Sequence, residues 1–113
     1  MRYVFSGDKK DGADGIFKIS FDILINESNL IKIFENLLTW KEDESHEFWG
    51  FIFYDEYDDP IDEVTVRYLD EEKKYSKSEF RHLLIMAIER FFSMYPDPEG
   101  REEISKIINF TEM

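Results

Sequence analysis

The chain reads as an α/β (α+β) fold: a single-layer, mostly antiparallel sheet packed against about three helices, in the order β-β-α-β-β-α-α. Three observations predict it. Apolar residues alternate with period two in several short runs. Two longer runs, over residues 30–38 and 80–92, repeat instead at i, i+3 and i+4. The 113 residues are 42% hydrophobic and 17% aromatic, enough for one core and too short for two, so residues 1–113 form a single domain.

Arg2–Ser6, rich in Tyr, Val and Phe, is the first strand candidate. Residues 7–15, GDKKDGADG, have turn chemistry. The spacing of Asp8, Asp11 and Asp14 invites a calcium reading. The alternate oxygen ligands and distant bidentate Glu of an EF-hand loop are missing, however, so the stretch reads as a solvated loop. Phe17, Ile19, Phe21, Ile23 and Ile25 alternate with Lys18, Ser20, Asp22 and Leu24, which predicts a half-buried strand over residues 17–25. Leu30, Ile33, Phe34, Leu37 and Leu38 then fall on one helical face, with Ser28 as N-cap of a helix spanning about Asn29 to Trp40.

EFWGFIFY is apolar in both alternating sets, as suits an internal strand covered on both sides. In EVTVRYL, Val64, Val66 and Tyr68 face one way, and Thr65, Arg67 and Leu69 the other. Ser76 and Glu79 have capping-box spacing ahead of Phe80, Leu83, Leu84, Ala87, Ile88, Phe91 and Phe92. Ile85 and Met86 widen that stripe and predict cover on more than one side. Pro96 stops this helix, and Asp97 followed by Pro98 starts a last one, with Ile104, Ile107 and Ile108 on its apolar face.

The stretch from Glu42 to Glu72 dominates the chemistry. It holds thirteen of the 26 acidic residues against one Arg and no Lys, with seven aromatics between them. Formal net charge is −12. Such a chain disfavours nucleic acid and anionic membranes and favours basic partners. Zero cysteines exclude disulfides and thiolate metal sites. The N-terminus lacks the apolar run of a signal peptide, and no run is long enough to span a bilayer, so a cytoplasmic location is expected.

His46 and His82 fall in different elements and read as surface residues, so no metal site and no cofactor is expected. Paired acids such as Asp58–Asp59 and Asp62–Glu63 are too common to mark a catalytic pair. No nucleophile context or phosphate-cradling loop is present, and the expectation is a binding protein rather than an enzyme. The binding surface is assigned to Asp55, Glu56, Tyr57, Asp58, Asp59, Asp62, Glu63, Glu71 and Glu72. Tyr57 would be an aromatic anchor among carboxylates that steer a cationic partner.

The strand from Phe48, the acidic turn, DEVTV, Ser76-x-x-Glu79-Phe80 with a helix ending at Tyr95-Pro96, and the opening YVFSGDK together resemble the CdiI immunity proteins of bacterial contact-dependent growth inhibition, in particular the set paired with ribonuclease toxins. The resemblance implies a cytoplasmic α/β protein with no catalytic residues that binds a cognate toxin domain and blocks its active site. A toxin that holds RNA tends to be basic, so an acidic inhibitor makes physical sense. Two other classes remain open: an acidic adaptor or nucleic-acid mimic for another basic protein, and a small carboxylate-dependent hydrolase.

Overall fold

In the computed structural model, residues 3–5, 14–40, 44–45, 49–54 and 60–111 are described. The elements are α1 (Gly15–Leu24), α2 (Leu30–Thr39), β1 (Glu44–Ser45), β2 (Trp49–Tyr54), β3 (Pro60–Tyr68), β4 (Glu71–Ser76), α3 (Lys77–Met94) and α4 (Pro98–Thr111). The four strands form one antiparallel sheet in the order β1-β2-β3-β4, with β2 internal as its sequence predicts. The α+β class therefore holds, while the element order becomes α-α-β-β-β-β-α-α.

Two expected strands are absent from that order. Tyr3–Phe5 is not part of the sheet; Arg2 and Ser6 lie outside the described residues. The run over residues 17–25 is helical, forming α1. Phe17, Phe21 and Leu24 satisfy i, i+4, i+7 as well as Phe17, Ile19 and Phe21 satisfy alternation, so both periods fit. Tertiary contacts decide between them. The residues that made the alternation look half-wet, Ser20 and Asp22, are buried at 0% and 1% exposure. Ser20 Oγ donates to the Arg67 carbonyl at 3.2 Å. The Asp22 carboxylate accepts the Val4 N–H at 2.7 Å and the Phe5 N–H at 3.1 Å, which pins the N-terminal segment to α1. A buried carboxylate is tolerated because these bonds satisfy its oxygens.

One face of the sheet carries Trp49, Phe51 and Phe53 beside Val64 and Val66, all buried against the helices. Phe80 of α3 meets Phe17, Phe51 and Phe53 at ring-centroid distances of 5.8, 5.6 and 6.0 Å. Trp40, just past α2, sits 5.8 Å from the same ring. The other face of the sheet carries half-buried Ile52 and Arg67 with exposed Glu63, Glu72 and Lys74. Gly50 and Thr65, also on this face, are buried, so among the described residues β2 has heavy ring packing on one side and partial cover on the other. The side chains of Phe48 and Tyr54 lie outside the described set.

The helix ends follow the sequence closely. Ser76 Oγ accepts the Glu79 N–H at 3.1 Å and donates to Glu79 Oε1 at 2.9 Å, capping α3. Asp97 Oδ1 accepts the Gly100 N–H at 3.2 Å at the start of α4. A Cβ at Gly100 would stand 2.6 Å from Ile31 Cδ1, so the glycine lets α4 close on α2. For α2 the expected Ser28 cap is replaced by Asn29, whose φ of 58° is left-handed and whose side chain makes no cap bond. Arg81 of α3 donates to the Leu38 carbonyl at 3.2 Å and the Ile108 carbonyl at 3.4 Å, so one cation serves the C-terminal turns of two helices. On α3, Ile85 is half-buried but Met86 is 38% exposed, so its cover is narrower than expected.

β4 has no counterpart in the sequence reading. Its residues, EEKKYS, are poor strand formers, and the Leu69–Asp70 turn before it has no glycine. Leu69 instead adopts a left-handed φ of 55°, which costs a branched side chain about 1–2 kcal/mol.

Truncation of α3 tests where stability resides. Leu84→Ala and Phe91→Ala, at 0% and 3% exposure, should each cost about 3–5 kcal/mol in denaturant unfolding. Losses below about 1 kcal/mol at both positions would show that this face is not the core.

Candidate functional site

The acidic surface assigned from sequence divides into two places. Asp55, Glu56, Tyr57, Asp58 and Asp59 lie outside the described residues. The strands they join are described: Tyr54 at the end of β2 faces Pro60 at the start of β3, after a register shift between Ile52 and Tyr54. Five residues thus link two adjacent chain ends. Asp62 belongs to β3, with its side chain outside the described set. Glu63 follows it, exposed and opposite Ser76.

Glu71 and Glu72 stand at the far end of the β3–β4 hairpin, opposite Tyr68 and Arg67. Five strand steps separate Glu63 from Tyr68, roughly 17 Å at about 3.3 Å per residue. Their surroundings also differ. Glu72 lies across from Arg67, and Lys73 and Lys74 follow directly on the same strand. Negative charge is thus interleaved with positive charge at this end. Lys73 and Lys74 lie just past the end of the acidic stretch from Glu42 to Glu72. The strand that unites them was invisible because it lacks apolar alternation.

A polar cluster that the sequence did not suggest ties this hairpin to α1. Tyr75 is 4% exposed, and its hydroxyl donates to Asp14 Oδ1 at 2.9 Å. Lys73 Nζ lies 3.5 Å from the same oxygen and 5.0 Å from the centre of the Tyr75 ring. Asp14 precedes α1 without capping it, because its carboxylate faces β4 instead. Burial, and then the Asp14 hydrogen bond and charge, push the Tyr75 hydroxyl well above its ordinary value. This arrangement is a structural pin: a neutral phenol held by a carboxylate has no reason to release its proton.

The rest of the described surface offers little chemistry. A groove of about 920 Å³ runs between the start of α2 and the α3–α4 junction, lined in part by Asn29, Leu30, Ile31, Tyr95 and Asp97. His82 is exposed, as expected, and His46 lies outside the described residues. Among the described residues no three His, Cys, Asp or Glu side chains converge on a metal position. No described helix is long and apolar enough to cross a membrane.

The Tyr75 pin has a pH signature. Above about pH 10 the unfolded chain releases this proton while the folded chain keeps it, so the unfolded state binds fewer protons and gains. The contribution is fully present below pH 10 and is lost as pH rises towards the folded value. Stability should fall there by up to about 1.4 kcal/mol per pH unit more than in Tyr75→Phe, measured by urea unfolding at pH 9 to 11. Parallel curves for the two proteins would mean that the phenol titrates alike in both states.

Compared with known proteins, the chain matches no family model, no curated protein and no solved structure.

Proposed function

We propose that this protein is an immunity protein that binds a basic nuclease toxin domain and covers its RNA-contacting surface with the acids of the β2–β3 connection. The observation that carries the proposal is charge density at one place in the sheet. Asp55, Glu56, Asp58 and Asp59 occupy a five-residue connection with no basic residue, and Asp62 and Glu63 follow within β3. Its two ends are paired at Tyr54 and Pro60, and anchoring of this kind lowers the ordering cost of binding. Pro60 at the strand start has no N–H to contribute to the ladder and suits an entry position. Glu71 and Glu72 are set apart from this surface by the length of the hairpin and by their basic neighbours.

The mechanism is substitution of one polyanion for another. A ribonuclease holds its substrate with Lys and Arg, and closely spaced carboxylates can occupy the same cations. Tyr57 supplies an aromatic anchor within the charged patch, in keeping with the frequency of Tyr at interface hot spots. Catalysis by the inhibitor is not needed, and the resemblance to CdiI proteins transfers no catalytic residue.

The decisive experiment is to express the protein encoded by the preceding open reading frame, test whether it is toxic and whether this chain protects the cells, and use the purified pair for binding. Association should approach about 10⁸ M⁻¹s⁻¹ at low salt and slow as salt is added. Reversing Asp58, Asp59 and Asp62 to Lys should leave the fold intact and weaken binding by about a hundredfold or more. A triple variant that binds as tightly as the parent with the same salt dependence would remove this loop from the interface.

A further inference from the structure

Apolar and acidic groups together line the groove of about 920 Å³ between the start of α2 and the α3–α4 junction. Leu30, Ile31 and Tyr95 are half-buried along it, and Met94 is 48% exposed. Glu35, Asp97 and Glu103 also line it, against Lys32 as the one base among its described residues. Arg101 of α4 lines a different hollow, with Phe92 and Ser105. A concave apolar surface edged by carboxylates suits an apolar side chain with cationic neighbours. We propose that this groove is a docking surface for a segment of a partner protein that carries a large apolar residue flanked by Lys or Arg.

The lining is held in shape by bonds that leave the groove open. The Tyr95 hydroxyl donates to the Tyr3 carbonyl and accepts the Tyr3 N–H, which fixes the direction of its ring. That ring also packs on Phe91, with 5.3 Å between centroids. Asp97 Oδ1 accepts the Gly100 N–H, and the missing Cβ of Gly100 makes room for Ile31 against α4. A groove fixed in advance lowers the ordering cost of its ligand. Met94 supplies the adaptable part, since an unbranched thioether fits irregular partners and methionine is enriched at interfaces.

Charge selects the occupant. Three carboxylates against one ammonium favour a cationic segment, and the net charge of −12 attracts it from further away. The same charge opposes an acidic peptide or a second copy of this chain. The groove is also distinct from the acidic connection. Ser76, at the start of α3, is paired with Glu63, whereas the groove lies at the other end of that helix. Its 18 residues make an axis about 27 Å long, against a screening length of about 8 Å in physiological salt. The occupant therefore binds independently of the charges in the β2–β3 connection, and need not come from a toxin.

Titration of the full chain with the capped peptide KRLFKR, followed in ¹H–¹⁵N spectra, is the test. A dissociation constant of roughly 10 to 500 µM is expected for so small an interface. Shifts should concentrate at residues 30–32, 94–97 and 103. The peptide KRSSKR keeps the charge without the apolar pair, and EELFEE keeps the apolar pair with the charge reversed. Each should bind at least about tenfold more weakly. Glu103→Lys and Met94→Asn, both at exposed positions, should each weaken KRLFKR by about fivefold or more and leave distant amide signals in place. Reversal of Asp58, Asp59 and Asp62 to Lys should leave affinity at the groove within about twofold. Shifts confined to other surfaces, equal binding of KRSSKR, or indifference to both groove substitutions would each overturn the assignment. Groove shifts that appear on concentrating the protein alone would show a second copy there, and would overturn it too.

Discussion

The packing of aromatic rings around Phe80 is the interaction on which the fold depends. That ring touches Phe17 of α1, Trp40 at the end of α2, and Phe51 and Phe53 of β2. A second layer joins Phe21 to Phe34, and Phe34 to Phe91 and Phe92. Large rings suit this chain for an electrostatic reason. A net charge of −12 on 113 residues opposes compaction, and rings remove much apolar area from water per residue. Most contacts in the cluster are edge-on, where ring quadrupoles attract and shape is specified as well as volume.

Polar groups then fix segments that this core alone would leave loosely placed. Asp22 holds the backbone of Val4 and Phe5, Asp14 holds Tyr75, and Arg81 joins the ends of α2 and α4. Tyr95 closes the set: its hydroxyl donates to the Tyr3 carbonyl at 3.0 Å and accepts the Tyr3 N–H at 3.2 Å. Each bond connects elements far apart in sequence. Exposed charge pairs such as Lys106–Glu102, at 3.6 Å, contribute little by comparison.

This division explains what could be read from the sequence. Elements with a local signature were legible: α3 through Ser76 and Glu79, α4 through Asp97 and Pro98, β2 through a short run apolar on both faces, and β3 through alternation. The second helix was placed correctly from Phe34, Leu37 and Leu38, although its cap was not. Where identity depended on distant partners, reading failed. Nothing near Asp22 tells that two backbone N–H groups 17 and 18 residues away will satisfy it, so it looked like a wet strand position. β4 failed for the opposite reason: it is stabilised by its neighbour β3 and not by its own composition. The candidate surface was legible as composition, through the acids of residues 55–63, whereas the setting of Glu71 and Glu72 depended on a strand that composition concealed.

The position of Phe80 in the chain also governs the order in which the protein can form during synthesis. The apolar faces of α1 and α2 are made first, yet the rings that cover them lie on β2 and α3. Phe80 lies 56 residues after Leu24, so at about 5–20 residues per second the ribosome leaves α1 without its partner for roughly 3 to 11 seconds. Tyr3 waits longer still, since Tyr95 lies 92 residues on. During that interval Phe17 and Phe21 are available to chaperones or to other nascent chains. The acids of Glu42 to Glu72 emerge within this same window, and their mutual repulsion keeps neighbouring nascent chains apart until Phe80 arrives.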